Sequence, residues 1–237
     1  MNSRKVRCWI LVFLGIGWAM EAIEGEYRYR EVRDRKETIH TFQVERQGEG
    51  WRISLDSRGE QEVIRQVFQL EKNWDTRFWE FIHDLQNTRI KARRRGGIIT
   101  LEGIHRGDRI QKNFSIGDDF WNQLFHIGLR PFILSGDRSI TFQAIGTSGI
   151  GEMKIARFRA VRKGIETIRR EGRVVPAVYV TLSLAGFRSV FWTGHYWFEK
   201  NGGLFIRYLN EPGSDPAKRS ILLEGETVAQ DNNGPAN

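Results

Sequence analysis

The sequence predicts a mainly β protein: a single highly curved antiparallel sheet, or half-barrel, of about 10–12 strands with one lid or plug helix near residues 118–130. Three observations predict this fold class. From Tyr27 onward, apolar and polar residues alternate with period two, as in half-buried strands. Short turn signals such as Asn201-Gly202-Gly203 separate the alternating runs, which is typical of antiparallel neighbours. Clear helical spacing occurs in one stretch in the middle of the chain.

The first 22 residues are predicted to be a secretory signal peptide, followed by export to the periplasm. Residues 1–7 carry three basic residues and no acidic one, and Cys8–Met20 is a short apolar run. This order is typical of a signal peptide, with cleavage after Ala19 or Ala22. An uncleaved anchor is the alternative, although Glu21 ends the run before the roughly 20 apolar residues of a spanning helix. Because Cys8 lies at the start of the apolar run rather than just after it, we do not expect a lipid-anchored lipoprotein.

The amino-acid composition excludes some classes of function for this protein. Cys8 is the only cysteine, so a chain cleaved after the signal peptide has no disulfide, thiolate metal ligand or cysteine nucleophile. The formal charge is +8, and three of these charges belong to segment 1–7. The rest of the chain keeps a mild positive net charge, which favours contact with an anionic membrane surface. We expect no nucleic-acid partner. We expect one β domain over 26–223 and a disordered tail over 224–237.

The first half of the domain is predicted as a meander of strands. They lie near 27–33, 38–45, 51–57, 62–70, 77–85, 89–95, 98–104 and 109–116. The alternation is clearest where Trp51, Ile53 and Leu55 face one way. The apolar spacing in 77–85 also fits a helix, but its aromatic content favours a strand.

The strand pattern breaks at 117–134, where we predict the helix. Either Asp118 or Asp119 can cap its N-terminus, and Pro131 and Ser135-Gly136 end it. The apolar residues at helical spacing are Phe120, Trp121, Leu124, Phe125 and Leu129. Strands are predicted to resume near 139–145, 152–161, 164–170, 174–184, 189–199, 204–210 and 220–223.

The stretch 191–210 is the clearest hairpin and the largest concentration of aromatic rings. On its first strand, Trp192, Tyr196 and Phe198 share one face. On its second strand, alternation predicts a shared face for Leu204, Ile206 and Tyr208. A curved sheet with so much ring area on one face must cover something apolar.

Several motifs in the sequence resemble motifs of exported bacterial proteins of unknown function. They are Phe191-Trp192 with Tyr196-Trp197-Phe198, Gly203 with Arg207-Tyr208, Phe120-Trp121-Asn122-Gln123, Leu129-Arg130-Pro131-Phe132, and the strand and turn of Val174–Gly186. These proteins look like relatives of the LolA/LolB/LppX half-barrel, in which a curved sheet wraps an apolar cavity closed by helices. The resemblance implies binding of a lipid or acyl chain and, in some of these proteins, carriage of lipids or lipoproteins between membranes of the envelope. No ligand-binding residue can be carried over from it.

We therefore expect a periplasmic, non-enzymatic protein that binds a lipid or acyl chain. The predicted cavity lining is Val178, Val180, Leu182, Trp192, Tyr196, Phe198, Ile206 and Tyr208 on the sheet, with Phe120, Trp121, Leu124 and Phe125 on the lid. The alternating cations Arg89, Lys91 and Arg93 are candidates for contact with phosphate-bearing headgroups, or are a solvated strand face. The same aromatic residues also suit a solid core, and the alternative is then a structural or interaction protein of the envelope.

No sequence motif identifies a reaction that this protein catalyses. The five histidines are scattered without a metal-ligand spacing, so we expect neither a metal nor another cofactor. An envelope hydrolase is the remaining alternative, and it needs a convergent set of acidic and histidine side chains. Asp118, Asp119 and His126 are the set that a cleft could bring together.

Overall fold

The computed structural model describes residues 24–147, 151–170, 172–186, 192–210 and 219–223. The strands among them are β1 Gly25–Arg33, β2 Lys36–Gln47, β3 Gly50–Gly59, β4 Val63–Leu70, β5 Thr76–His83, β6 Thr88–Arg95, β7 Ile98–His105, β8 Asp108–Ser115, β9 Ser139–Thr147, β10 Met153–Arg170, β11 Arg173–Leu184, β12 Thr193–Glu199, β13 Phe205–Leu209 and β14 Arg219–Leu223. The helices are α1 Phe125–Gly128 and α2 Arg130–Ser135, with a 3₁₀ turn at Asp84–Gln86. Neither α1 nor α2 approaches the length and apolar character that a membrane-crossing helix requires. The predicted signal peptide and tail lie outside the described residues.

All fourteen described strands belong to one open antiparallel sheet. The order runs from β8 down to β1, then through β14 and down to β9, so β8 and β9 are the edges. The first and last strands meet in the middle of the sheet through the pairing of β1 with β14. The predicted fold class, a single curved antiparallel sheet with a helical element, is confirmed. The fourteen described strands exceed the predicted 10–12, and the predicted ranges 152–161 and 164–170 form the single strand β10.

Alternation along the strands determines which face packs inward. Ile53, Leu55 and Phe68 are buried within the main core cluster. The ambiguous stretch 77–85 is a strand as far as His83, with Asp84 and Leu85 in the 3₁₀ turn, and buried Trp79 lies opposite buried Ala92 of β6. Inward aromatic and aliphatic side chains from neighbouring strands therefore build one continuous apolar interior.

The predicted helix begins later than its apolar spacing indicates. Residues 120–123 are not helical, and Trp121 forms a parallel bridge with Gln143 of β9. The Asn122 backbone N–H donates to the Gln143 carbonyl at 3.0 Å, and α1 starts at Phe125. Helical spacing could not reveal this, because β9 is an edge strand whose free backbone groups recruit the incoming chain.

The helical part of this connection fills one side of the interior. The Phe125 ring packs against Phe142 and Phe158, with ring centroids 5.4 and 5.2 Å away. The His126 ring lies 4.6 Å from Phe205 and 6.2 Å from Phe42. The connection thus contacts strands from both halves of the sheet, as a plug does.

Side chains join the two open edges of the sheet at one end. The Lys112 ammonium of β8 donates to Glu152 at 2.6 Å and to the Met153 carbonyl at 3.2 Å, both at the start of β10. A His105 ring nitrogen lies 2.8 Å from the Gly151 carbonyl oxygen. These contacts bring β7 and β8 against the connection between β9 and β10.

We expect the Lys112–Glu152 contact to stabilise the fold at neutral pH and to weaken in acid. Hydrogen bonds from Lys112 and Lys154 lower the pKa of Glu152 from 4.5 to about 2. A carboxylate with a depressed folded-state pKa contributes stability above its unfolded pKa, and this contribution disappears as the pH falls through the folded value. The Tm advantage of the wild type over Glu152→Gln should therefore be full above pH 4.5 and shrink toward pH 2.

Thermal unfolding followed by circular dichroism across this pH range measures the difference. Glu49→Gln, which removes an exposed carboxylate from the turn between β2 and β3, is the control. A Tm difference for Glu152→Gln that is the same at every pH would contradict the assignment.

Candidate ligand-binding cavity

A cavity of about 250 Å³ lies between the connection that contains α1 and the inner face of β1 to β4. Its apolar lining consists of Tyr29, Phe42, Leu55, Ile64, Phe68, Leu124, Phe125 and Ile221. Its polar lining consists of Glu31, His40, Ser57, Gln66, Gln123 and His126. We call this the inner cavity.

A second cavity, of about 420 Å³, adjoins the inner cavity and shares Ile64, Gln66 and Gln123 with it. We call it the side cavity. It extends beneath β4 to β7, and its apolar lining includes Trp79, Phe81, Ile90, Ile145 and Met153. The shared lining makes Ile64 the junction between the two volumes.

Both cavities lead toward one end of the sheet, where a groove of about 560 Å³ lies between the β1–β2 and β3–β4 turns. This mouth groove shares Ile64 with both cavities and Ser57 with the inner one. Its charged lining is mostly acidic: Glu31, Asp34, Glu37, Glu60 and Glu62, against Arg33 and Lys36. A ligand would therefore meet a polar rim before it reaches an apolar interior.

Three polar side chains are linked where the mouth groove meets the inner cavity. The two ring nitrogens of His40 lie 2.9 Å from a Glu31 carboxylate oxygen and 2.8 Å from the Ser57 hydroxyl. Strand register causes this, because His40 lies directly opposite Ser57 and opposite Tyr29 on β1, two residues before Glu31. Ser57 is buried, and the other two side chains are about 15% exposed. The trio can exchange hydrogen bonds with a polar group that enters the cavity.

Two further histidines line the side cavity. His83 is buried with Nε2 3.2 Å from a Glu62 carboxylate oxygen, and His105 contacts the Gly151 carbonyl. Sequence reasoning missed this convergence because the histidines lie on separate strands with no local spacing rule. The available signal in the sequence was that each histidine ends a strand and occupies a position whose alternation points its side chain inward. Among the described residues, no group of three or more histidine, cysteine or carboxylate side chains could hold a metal ion.

The residues proposed for a hydrolase face different surroundings. The Asp119 carboxylate accepts a hydrogen bond from the Gln143 side chain at 2.8 Å, and Asp118 is exposed. His126 packs among aromatic rings and borders the inner cavity. The structure does not assemble them as an acid–base set.

Two of the predicted lid residues, Leu124 and Phe125, border the inner cavity. Phe120 and Trp121 pack in the main core and line neither cavity. The predicted sheet wall also packs in the core and lines neither cavity: Val178, Val180, Leu182, Trp192, Tyr196, Phe198 and Tyr208. These residues of β11 to β13 therefore pack in the core, and the inner and side cavities are bordered mainly by β1 to β7, with Ile145 of β9, Met153 of β10 and Ile221 of β14.

Ile206 lies on the other face of the sheet, so the prediction that it shares a face with Tyr208 is wrong. It packs in a separate outer cluster with Trp197 and Ala177. The register shifts so that Phe198 pairs with Phe205 while its neighbour Trp197 pairs with Arg207. The extra residue on β13 breaks the alternation, which is the effect of a β-bulge.

The predicted headgroup residues lie on β6 with their side chains outside the core. Arg89 is exposed, Lys91 lies 3.3 Å from Glu80, and the Arg93 guanidinium lies 5.3 Å from the centre of the Phe78 ring. None of the three lines the mouth groove or either cavity.

Comparison with known proteins supports the architecture. No protein-family model and no curated protein matches the sequence. A β-barrel-like protein of the domain of unknown function DUF1849 from Brucella abortus is similar in structure, with a TM-score of 0.51 and 8% identity over 85% of this chain and 96% of that one. A DUF1089 family protein from Pseudomonas aeruginosa has a TM-score of 0.41 at 9% identity, covering 87% and 97% of the two chains. The DUF1849 similarity supports a β-barrel-like fold for this chain.

Proposed function

We propose that this protein binds a hydrophobic ligand, a lipid or acyl chain, in the inner and side cavities and does not transform it. The observation that carries the proposal is the unequal packing of the interior. The predicted wall residues of β11 to β13 pack against one another in an aromatic core, whereas β1 to β7 border two adjoining cavities whose walls combine aromatic and aliphatic side chains with polar ones. We place this activity in the periplasm on the strength of the predicted signal peptide, in keeping with the resemblance to lipid-carrier half-barrels.

The size of the cavities supports a small-molecule ligand. Ligand pockets usually measure about 300–1,000 Å³ and have apolar walls with a few polar groups that orient the ligand. The inner cavity, about 250 Å³, is smaller than this range, but together with the side cavity of about 420 Å³ it falls within it. A chain that passes Ile64 could occupy both volumes.

The linked trio Glu31, His40 and Ser57 supports an amphiphilic ligand whose polar end stays near the mouth groove. A buried polar group of the ligand must find hydrogen-bond partners, or its desolvation opposes binding. The trio and the amides of Gln66 and Gln123 offer both donors and acceptors on this side of the cavities. The apolar chain would then point toward Phe42 and Phe68.

Binding accounts for the trio better than hydrolysis does. A serine nucleophile also needs free backbone N–H groups aimed at the developing oxyanion. Ser57 lies inside the sheet, with partners His40 on β2 and Ile64 on β4, where backbone N–H groups serve strand pairing. The carboxylate and imidazole therefore supply polar contacts rather than half of a reaction centre.

Blocking the junction between the cavities tests the proposal. Ile64→Trp places an indole at the junction and should weaken binding of a fluorescent fatty acid about tenfold or more, because the chain loses its path. Val67→Trp is the matched control on β4, at a position that borders neither cavity. Fluorescence titration measures both affinities. Saturable binding that is equal in wild type and Ile64→Trp would reject these cavities as the site.

A further inference from the structure

The hairpin of β10 and β11 projects beyond its neighbours in the sheet. β9 pairs with β10 only as far as Val161, and β12 pairs with β11 only from Ala177. The hairpin itself continues to the pair Arg170–Arg173. Residues 163–170 and 172–176 thus form a two-stranded extension, which we call the arm.

The arm exposes aliphatic side chains. Ile165 is 55% exposed and Val174 is 65% exposed, which are large values for strand residues of these types. Ile165 lies opposite the buried core residue Val178, and Val174 has the same parity along β11. Both side chains therefore lie on the continuation of the inner face, past the rim where the sheet has a core to cover.

The arm also concentrates positive charge. Its sequence holds Lys163, Arg169, Arg170 and Arg173, against Glu166 and Glu171. The Glu166 carboxylate already accepts a hydrogen bond from the Trp197 indole at 2.7 Å, toward the outer cluster. Arg169 lies opposite Val174 and shares its face, whereas Arg170 and Arg173 lie opposite each other on the other face at the end of the hairpin. Like charges in this position destabilise a strand pair. An anionic surface against the tip would relieve that repulsion.

We infer that the arm docks tip-first on an anionic lipid bilayer. Ile165, Val174 and Arg169 then enter the headgroup region on one face of the arm, and Arg170 and Arg173 meet lipid phosphates from its other face. Apolar side chains flanked by cations match both components of such a surface. A bilayer fits the arm better than a protein does, because a stable protein interface needs about 800 Å² on each partner and the arm is only two strands wide. This inference stands independently of the ligand in the cavities.

Vesicle co-sedimentation of the purified protein tests the inference. The expected result is binding to two-to-one phosphatidylcholine–phosphatidylglycerol vesicles that falls with added salt, and no binding to pure phosphatidylcholine. Arg170→Gln/Arg173→Gln should weaken binding about twenty-fivefold, since each cation near an anionic surface contributes about fivefold. Ile165→Ser/Val174→Ser keeps every charge and should weaken binding about tenfold.

The matched control is Arg58→Gln/Arg109→Gln, which removes two exposed cations from β3 and β8. It should leave vesicle affinity nearly unchanged, and circular dichroism verifies that all variants keep the wild-type fold. Equal weakening by the control and by the arm variants would overturn the inference in favour of diffuse attraction. Failure of the wild type to bind anionic vesicles would also overturn the inference. Arm variants that abolish self-association and leave vesicle binding intact would overturn it too.

Discussion

Replacing Trp121 by alanine is expected to lower the free energy of unfolding by about 3–5 kcal/mol, the range for a large aromatic side chain removed from a core. Its side chain is fully buried, and its indole N–H donates to Gln123 at 3.1 Å. Its backbone N–H donates to the Asp75 carboxylate at 3.1 Å, and its carbonyl accepts from the Thr76 N–H at 2.7 Å. Trp121 therefore joins β5 to the segment that covers the edge strand β9. Equilibrium denaturation measures the loss.

Phe78→Ala is the control for this variant. Phe78 is a partly buried ring under the Arg93 guanidinium, outside the main core, so its removal should lower the free energy of unfolding by about 1 kcal/mol. If both variants lost the same small amount of unfolding free energy, the connection between β8 and β9 would not stabilise the contact between the two halves of the interior.

Replacing Phe198 by alanine should also lower the free energy of unfolding by about 3–5 kcal/mol, yet leave fatty-acid affinity within about twofold of the wild type. Its ring is fully buried, with centroids 5.7 Å from Phe205 and 6.4 Å from Tyr196, and it lines neither cavity. Stability is measured by denaturation and affinity by fluorescence titration, below the denaturation range of the variant.

This variant and Ile64→Trp form a pair with opposite expected effects. Phe198→Ala reduces stability and spares binding, whereas Ile64→Trp reduces binding through obstruction. If Phe198→Ala abolished the affinity of a protein that remains folded, the acyl chain would lie beneath β12 and β13, where the sequence had predicted the cavity.

Strand positions could be predicted from the sequence because burial on one face imposes a local, period-two signal. The hairpin of β12 and β13 shows where this signal stops being sufficient. One extra residue on β13 turns Ile206 outward, and nothing in the alternation of 204–210 indicates that bulge. The start of α1 was missed for a related reason, since the pairing of Trp121 with β9 depends on a strand that follows it in the chain.

The site was less predictable than the fold because it depends on long-range register. His40 and Ser57 meet only because β2 and β3 pair in a register that places them opposite each other. A filled core and a cavity wall also use the same residue types, so Phe198 and Phe68 could not be assigned to different roles from the sequence. The structure separates them, because Phe68 borders the inner cavity and Phe198 packs against other rings.

Native mass spectrometry of the protein purified from its own cells tests ligand binding most directly. The expected result is an adduct with the mass of a lipid or fatty acid, released on denaturation and strongly reduced in Ile64→Trp but not in Val67→Trp. A wild-type spectrum with no adduct, together with no uptake of added fatty acid, would contradict the proposed function.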